Sequence, residues 1–186
     1  MRKIQTQANI DKKKRKDQIV IGVVMISLLV ISTLGYSLVG RNNEEDSSVQ
    51  DFGIEFFYEN GFWKTVFDDN IFVFKNLPSE VSDIDVNISV SLGQYSGQVL
   101  YFVNPNAGAS EILNNIGGYI VRYQEACIND DDGCNDDFPM KNCDSNLIIF
   151  ENGNSSKVYQ NDSCVFIVGD PLRATDAFLY KVLQII

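Results

Sequence analysis

The sequence predicts an α+β protein: an N-terminal transmembrane helix followed by one mixed, largely antiparallel sheet domain with two covering helices. Three observations lead there. A long uncharged apolar run follows a basic cluster. The next hundred residues alternate short β-branched and aromatic segments with turn residues. Two later segments carry apolar residues at helical spacing.

Residues 1–17 form a basic tail, with Arg2, Lys3, Lys12, Lys13, Lys14, Arg15 and Lys16 set against Asp11 and Asp17. Residues 18–40 carry no charge, and Ile19 to Val39 supply 21 predominantly apolar positions. A helix of that length spans roughly 31 Å at about 1.5 Å per residue, the thickness of one hydrocarbon core. Its serines and threonine can bond back to the helix backbone, and Tyr36 falls near the far interface. A buried core helix would show a polar face. A cleaved signal peptide would have a shorter apolar stretch and a small-residue cleavage site. The segment therefore reads as an uncleaved anchor, and the positive-inside rule keeps the N-terminus in the cytoplasm and the C-terminal domain outside. A pilin-like subunit is disfavoured because Arg15-Lys16-Asp17-Gln18 stands where processing needs a small residue.

The whole chain has a net charge of −10. The tail holds +5 of its own, which leaves −15 on the rest and argues against nucleic acid as a partner. Histidine is absent, so Ser-His and Cys-His nucleophile pairs and His-ligated zinc are excluded.

Residues 41–50 read as a polar linker and residues 51–186 as the outer domain. Ile54 to Tyr58, Phe62 to Phe67 and Ile71 to Lys75 are strands, joined by Asn60-Gly61 and by Asp68-Asp69-Asn70. Val86 to Val90 alternates as a half-buried strand, and Val99 to Val103 is apolar on both faces, as in a central strand. Ser110 is the expected cap of a helix whose face is Ile112, Ile116, Tyr119, Ile120 and Tyr123, with Gly117-Gly118 weakening it. Leu147 to Phe150, Lys157 to Gln160 and Val165 to Val168 are strands. Asp170-Pro171 opens a final helix with Leu172, Thr175, Phe178, Leu179, Val182 and Ile186 on one face. The apolar end predicts a docked C-terminus.

Cys127, Cys134, Cys143 and Cys164 all fall in the outer domain, where an even count points to two disulfides. Of three pairings, Cys127–Cys134 and Cys143–Cys164 are preferred. One pins a helix end to its acidic loop; the other joins the starts of two strands. No C-x-x-C pair supports zinc or a redox dithiol.

Catalytic signatures are lacking. Gly93-Gln-Tyr-Ser-Gly97 has its serine in the wrong place for a nucleophile elbow. Asp130, Asp131, Asp132, Asp136 and Asp137 offer oxygen ligands for calcium, but the EF-hand spacing fails at Ile128 and Pro139. No cofactor, resident metal or catalytic residue is assigned. Three Asn-x-Ser sequons, at Asn87, Asn154 and Asn161, are about as many as composition produces by chance. Aromatics crowd the start of the domain, from Phe52 to Phe74; most belong in a core, and an outward-facing subset would make a docking face.

Several segments carry a resemblance: Tyr123-Gln-Glu-Ala-Cys127, Lys141-Asn-Cys143, Asn146 to Phe150, Lys157-Val-Tyr159, Cys164 to Ile167 and Ala174 to Lys181. Over about 65 residues they resemble a group of short archaeal single-pass membrane-anchored proteins of unknown function with a four-cysteine outer domain. The resemblance implies a cell-surface location and a structural role for the cysteines, and it supplies no activity. The resulting expectation is a binding or accessory domain held at the membrane through residues 18–40 and presented to a protein partner there. The alternative is an anchored carboxylate enzyme, with or without calcium.

Overall fold

The computed structural model describes residues 16, 18–30, 48–128, 134, 135 and 137–185. The chain divides into two compact units, Met1–Glu45 and Asp46–Ile186.

In the first unit residues 18–30 form helix α1, and its large apolar side chains from Ile19 to Leu29 are each more than half exposed. Residues 31–40 of the expected anchor lie outside the described residues. Among the described residues no helix is long and apolar enough to cross a membrane.

The second unit begins with a four-stranded antiparallel meander: β1 (Ser48–Asp51), β2 (Ile54–Glu59), β3 (Phe62–Phe67) and β4 (Asn70–Phe74). Each hairpin closes through two residues, and every one of those residues has positive φ: Phe52-Gly53, Asn60-Gly61 and Asp68-Asp69. That twist matches the twist of the flanking strands. Asn60-Gly61 is the turn its sequence implies. The first turn is hidden because Phe52 rarely enters the left-handed region. Residues 48–50, expected as linker, are therefore a strand. The third expected strand also shifts by one residue, from Asn70 to Phe74.

A short 3₁₀ turn (Pro78–Val81) leads to the second sheet. Its strands are β5 (Asp85–Asn87), β6 (Val99–Val103), β7 (Arg122–Glu125), β10 (Leu147–Glu151), β11 (Lys157–Asn161) and β12 (Cys164–Val168). Their spatial order is β5-β11-β12-β10-β6-β7. The α+β class holds, and the antiparallel expectation holds for the meander. In the second sheet only the β11–β12 hairpin is antiparallel; the other neighbours pair parallel. Uninterrupted apolar runs such as Val99–Val103 and Leu147–Phe150 belong to such a sheet, because both of its faces are covered. The strand expected at Val86 to Val90 stops at Asn87, and a short helix α2 (Leu92–Tyr95) follows.

Helix α3 (Ala107–Ile116) starts earlier than its sequence suggests. Asn106, not Ser110, is the cap, and its side chain accepts from Gly108 N at 2.9 Å. The helix stops at the glycine pair. Tyr119 and Ile120 lie in the turn beyond it, and Tyr123 lies in β7. Periodicity had run on through a break that two glycines make energetically easy. Helix α4 (Pro171–Val182) begins as expected: Asp170 Oδ1 accepts from Leu172 N (3.0 Å) and Arg173 N (2.9 Å). Just before it, Gly169 has φ +92° and passes so close to Ser155 and Ser156 that a Cβ would stand 2.8 Å from backbone atoms. Ile185 is buried, as a docked C-terminus requires; Ile186 is outside the described residues.

The helix pair lies between the two sheets. From Ala174 to Val182 every residue of α4 except Lys181 is buried. Tyr180 meets Phe56 and Phe74 of the meander, and Phe178 meets Tyr95 of α2. Leu100, Phe102, Ile148, Phe150, Val165 and Ile167 join this core from the second sheet. Alternate residues of the same strands, Tyr101, Val103, Leu147, Ile149 and Cys164, point to the opposite face. Among the described residues no long helix covers that face. Ala126, Cys127, Ile128 and Cys143 do, from a segment containing the two-residue strands β8 (Cys127–Ile128) and β9 (Met140–Lys141).

Candidate functional site

The described cysteines pair as preferred from the sequence. Cys127 and Cys134 are within disulfide distance, with Cα atoms 5.9 Å apart, and so are Cys143 and Cys164, at 4.9 Å. The Cys143–Cys164 bond fastens the irregular cover to β12, while Cys127–Cys134 closes a loop within the cover. In the chain-entropy picture loops of this size contribute about 2.5 and about 3.4 kcal/mol. Asp130, Asp131, Asp132 and Asp136, the proposed calcium ligands, lie outside the described residues. Asp137 N donates to Asn135 Oδ1 at 3.0 Å. Among the described residues no group of three or more acidic or cysteine side chains is placed to hold a metal ion.

The polar chemistry of the domain gathers instead where α3, α4 and the end of β4 meet. Asn115 of α3 faces the outer edge of β4. Val73 N donates to Asn115 Oδ1 at 2.7 Å, and Asn115 Nδ2 donates to Val73 O at 2.7 Å. The carboxamide thus occupies the place of a fifth strand, satisfying an edge that otherwise invites foreign pairing. Asp176 of α4 holds the exit from β4. Its Oδ2 accepts from Lys75 N (3.1 Å), Asn76 N (2.7 Å) and Asn76 Nδ2 (2.8 Å). Tyr180 donates its hydroxyl to Asn76 O at 2.6 Å.

Two carboxylates are buried in this seam, Glu111 at 5% exposure and Asp176 at 0%. Burial pushes both above the usual carboxylate range, Asp176 to about 7. The neighbouring Glu111 charge raises Asp176 further, while its bonds to Asn76 and Lys75 oppose the rise. Glu111 is held back in part by Lys75. Burial also raises the Tyr180 hydroxyl, and the surrounding carboxylates add to that. Sequence reasoning missed both acids. One acidic residue among many carries no burial signal of its own.

A concavity of about 280 Å³ lies elsewhere, between the β3–β4 turn, α2 and the end of α4. Phe67, Phe72, Leu92, Tyr119 and Leu183 line it together with Asp68, Asn70, Ser91 and Gln184. Neither Glu111 nor Asp176 reaches it. The nearby α4 carbonyls are already bonded: Leu179 O accepts from Leu183 N, Tyr180 O from Ile185 N and Lys181 O from Gln184 N. The concavity therefore gathers no convergent charge.

The outer face of the meander is the remaining feature. Phe56, Phe72 and Phe74 face the core, whereas Phe57, Val66 and Ile71 face outward at 39%, 61% and 66% exposure. Val66 and Ile71 are directly paired across β3 and β4. The crowded aromatics of the sequence thus divide into a buried set and an exposed set, as a one-sided sheet requires.

Comparison of the chain with family models, with curated proteins and with solved structures finds no match.

Proposed function

We propose that this chain is a single-pass membrane protein that presents its α+β domain outside the cell as a binding or accessory module for a membrane or surface protein. The observation that carries the binding role is the outward apolar row of the meander: Val66 and Ile71, paired on neighbouring strands, with Phe57 on the same face. Apolar side chains this exposed on a sheet face cost solubility, and burial against a partner recovers about 25 cal/mol per Å². The anchoring role rests on the uncharged run at residues 18–40 and the basic cluster before it.

The enzyme reading has less support. The acids with perturbed ionisation are enclosed in the core and line neither the concavity beside α2 nor the two other surface hollows. General acid–base work needs a carboxyl within reach of a substrate.

The docking face is tested by a photo-crosslinking residue at position 71 in intact cells. The expected result is a discrete protein adduct that disappears with Val66→Asp. That change at an exposed position should leave stability within about 0.5 kcal/mol. An unchanged adduct in Val66→Asp, or none at all, would remove the proposed face.

A further inference from the structure

The seam between α3, α4 and β4 contains an imbalance that the bonds described above leave open. Asp176 Oδ1 and Glu111 Oε1 are both buried, and neither has a hydrogen-bond partner. They come from adjacent helices, and the charge of Glu111 acts on Asp176. Two ionised carboxylates side by side without water repel, and each would keep an orphaned oxygen. One proton removes both defects, because a protonated carboxyl donates and an ionised one accepts. The three donors on Asp176 Oδ2 favour the anion there, while burial and the Glu111 charge favour its neutral form, so neither acid holds the proton alone.

We propose that Glu111 and Asp176 share a single proton between Glu111 Oε1 and Asp176 Oδ1, and that this proton is a pH-sensitive latch holding the end of β4 on the helix pair. The groups facing the pair support this. From α3 come Glu111 and the neutral Asn115; from α4 come Asp176, Tyr180 and the unpartnered Thr175 hydroxyl. From the β4 exit come Lys75 and Asn76. Lys75 is the cation acting on Glu111, yet its ammonium is engaged by Gly61 O at 2.9 Å and lies 5.0 Å from the Phe62 ring centroid. Asp51 and Glu80 lie further out and act on Tyr180, adding negative potential. The surroundings thus offer little compensation for a second negative charge. Loss of the proton leaves two anions in the seam. The contacts most directly exposed to that repulsion are those Asp176 makes with Lys75 and Asn76, which end β4.

The sign follows from linkage. Both acids bind protons more tightly in the folded chain than in the unfolded one, so folding gains most from the pair in acid. That gain shrinks as pH rises from about 4, the ordinary carboxyl value, through neutrality, and the change is complete above it. The inference is independent of any docking partner.

Glu111→Gln tests it in the full chain in detergent micelles. The Gln amide donates permanently to Asp176 Oδ1 and imitates the protonated state. Thermal midpoints of wild type and E111Q should agree near pH 5 and diverge by pH 8.5, with E111Q higher. Exchange of the Lys75 and Asn76 amides at pH 8.5 should be about tenfold or more slower in E111Q, since each unit of displaced titration is a factor of ten in the opening equilibrium. Parallel profiles, or E111Q weaker at every pH, would overturn the latch. If E111Q does not fold, the infrared spectrum of the wild type decides. A protonated-carboxyl band at pH 6 that is gone by pH 9 supports the shared proton, and no such band at pH 6 overturns it.

Discussion

Asn115→Ala removes the side chain that closes the open edge of β4. The wild-type carboxamide exchanges two 2.7 Å bonds with Val73 and donates a third, at 3.0 Å, back to Glu111 O. The two bonds to Val73 are the ones with no intrahelical substitute. Each is worth about 1 kcal/mol net, and incomplete resolvation of the groups left behind adds up to roughly 2 kcal/mol. Asn115 is buried while Val73 is only half-buried, so water can reach part of the vacated site. The expected loss is therefore about 2–4 kcal/mol. For a folded unit of this size that lowers the thermal midpoint by roughly 6–12 °C. The assay is circular dichroism melting combined with hydrogen exchange at Val73, whose amide should lose protection before those of β10 and β12. A midpoint within about 2 °C of wild type, or an unchanged Val73 amide, would refute the view that this carboxamide acts as the missing strand.

Further outcomes follow from the same packing. A Cβ at Gly108 would overlap Thr175 Oγ1 and stand 2.7 Å from Pro171 O and 2.9 Å from Phe150 Cε1. Gly108→Ala should cost about 1–3 kcal/mol in urea unfolding despite its better helix propensity, and a stabilised variant would show that the two helices do not approach this closely. Thr175→Val deletes a buried hydroxyl that has no partner, so the melting temperature should hold or rise. A fall of several degrees would mean that the hydroxyl is bonded. Replacing Cys143 and Cys164 by Ala should cost more than replacing Cys127 and Cys134, about 3.4 against about 2.5 kcal/mol, and the reverse order would contradict the loop-closure account.

Much of the domain was legible because local chemistry and tertiary packing agree there. Asn60-Gly61 is a turn in any context, and Asp170-Pro171 starts a helix by satisfying its own first amides. The Cys143–Cys164 pairing followed from the strands its residues precede; Cys127–Cys134 was expected to pin a helix end, whereas α3 stops at Ile116 and Cys127 lies in β8. Elements whose cause lies at a distance were not legible. β1 forms because β2 offers an edge, although Phe52-Gly53 carries a weak turn signal. The pairing sense of β6, β10 and β12 depends on crossovers, and apolar runs do not record which neighbour they will meet. Glu111 and Asp176 are each the single acidic residue of their helix and look like ordinary surface charges. Only the burial of α4 between the two sheets makes them a coupled pair. The Asn115 clamp has no signal in the sequence either, since its partner is 42 residues away.

The claim on which the functional proposal depends is that residues 18–40 hold the chain in a bilayer and place the second unit outside. Protease treatment of intact cells expressing the full chain, with an epitope at the N-terminus and another at the C-terminus, tests it most directly. The account predicts loss of the C-terminal epitope while a membrane-bound N-terminal fragment survives. Survival of the C-terminal epitope until the cells are lysed would contradict it.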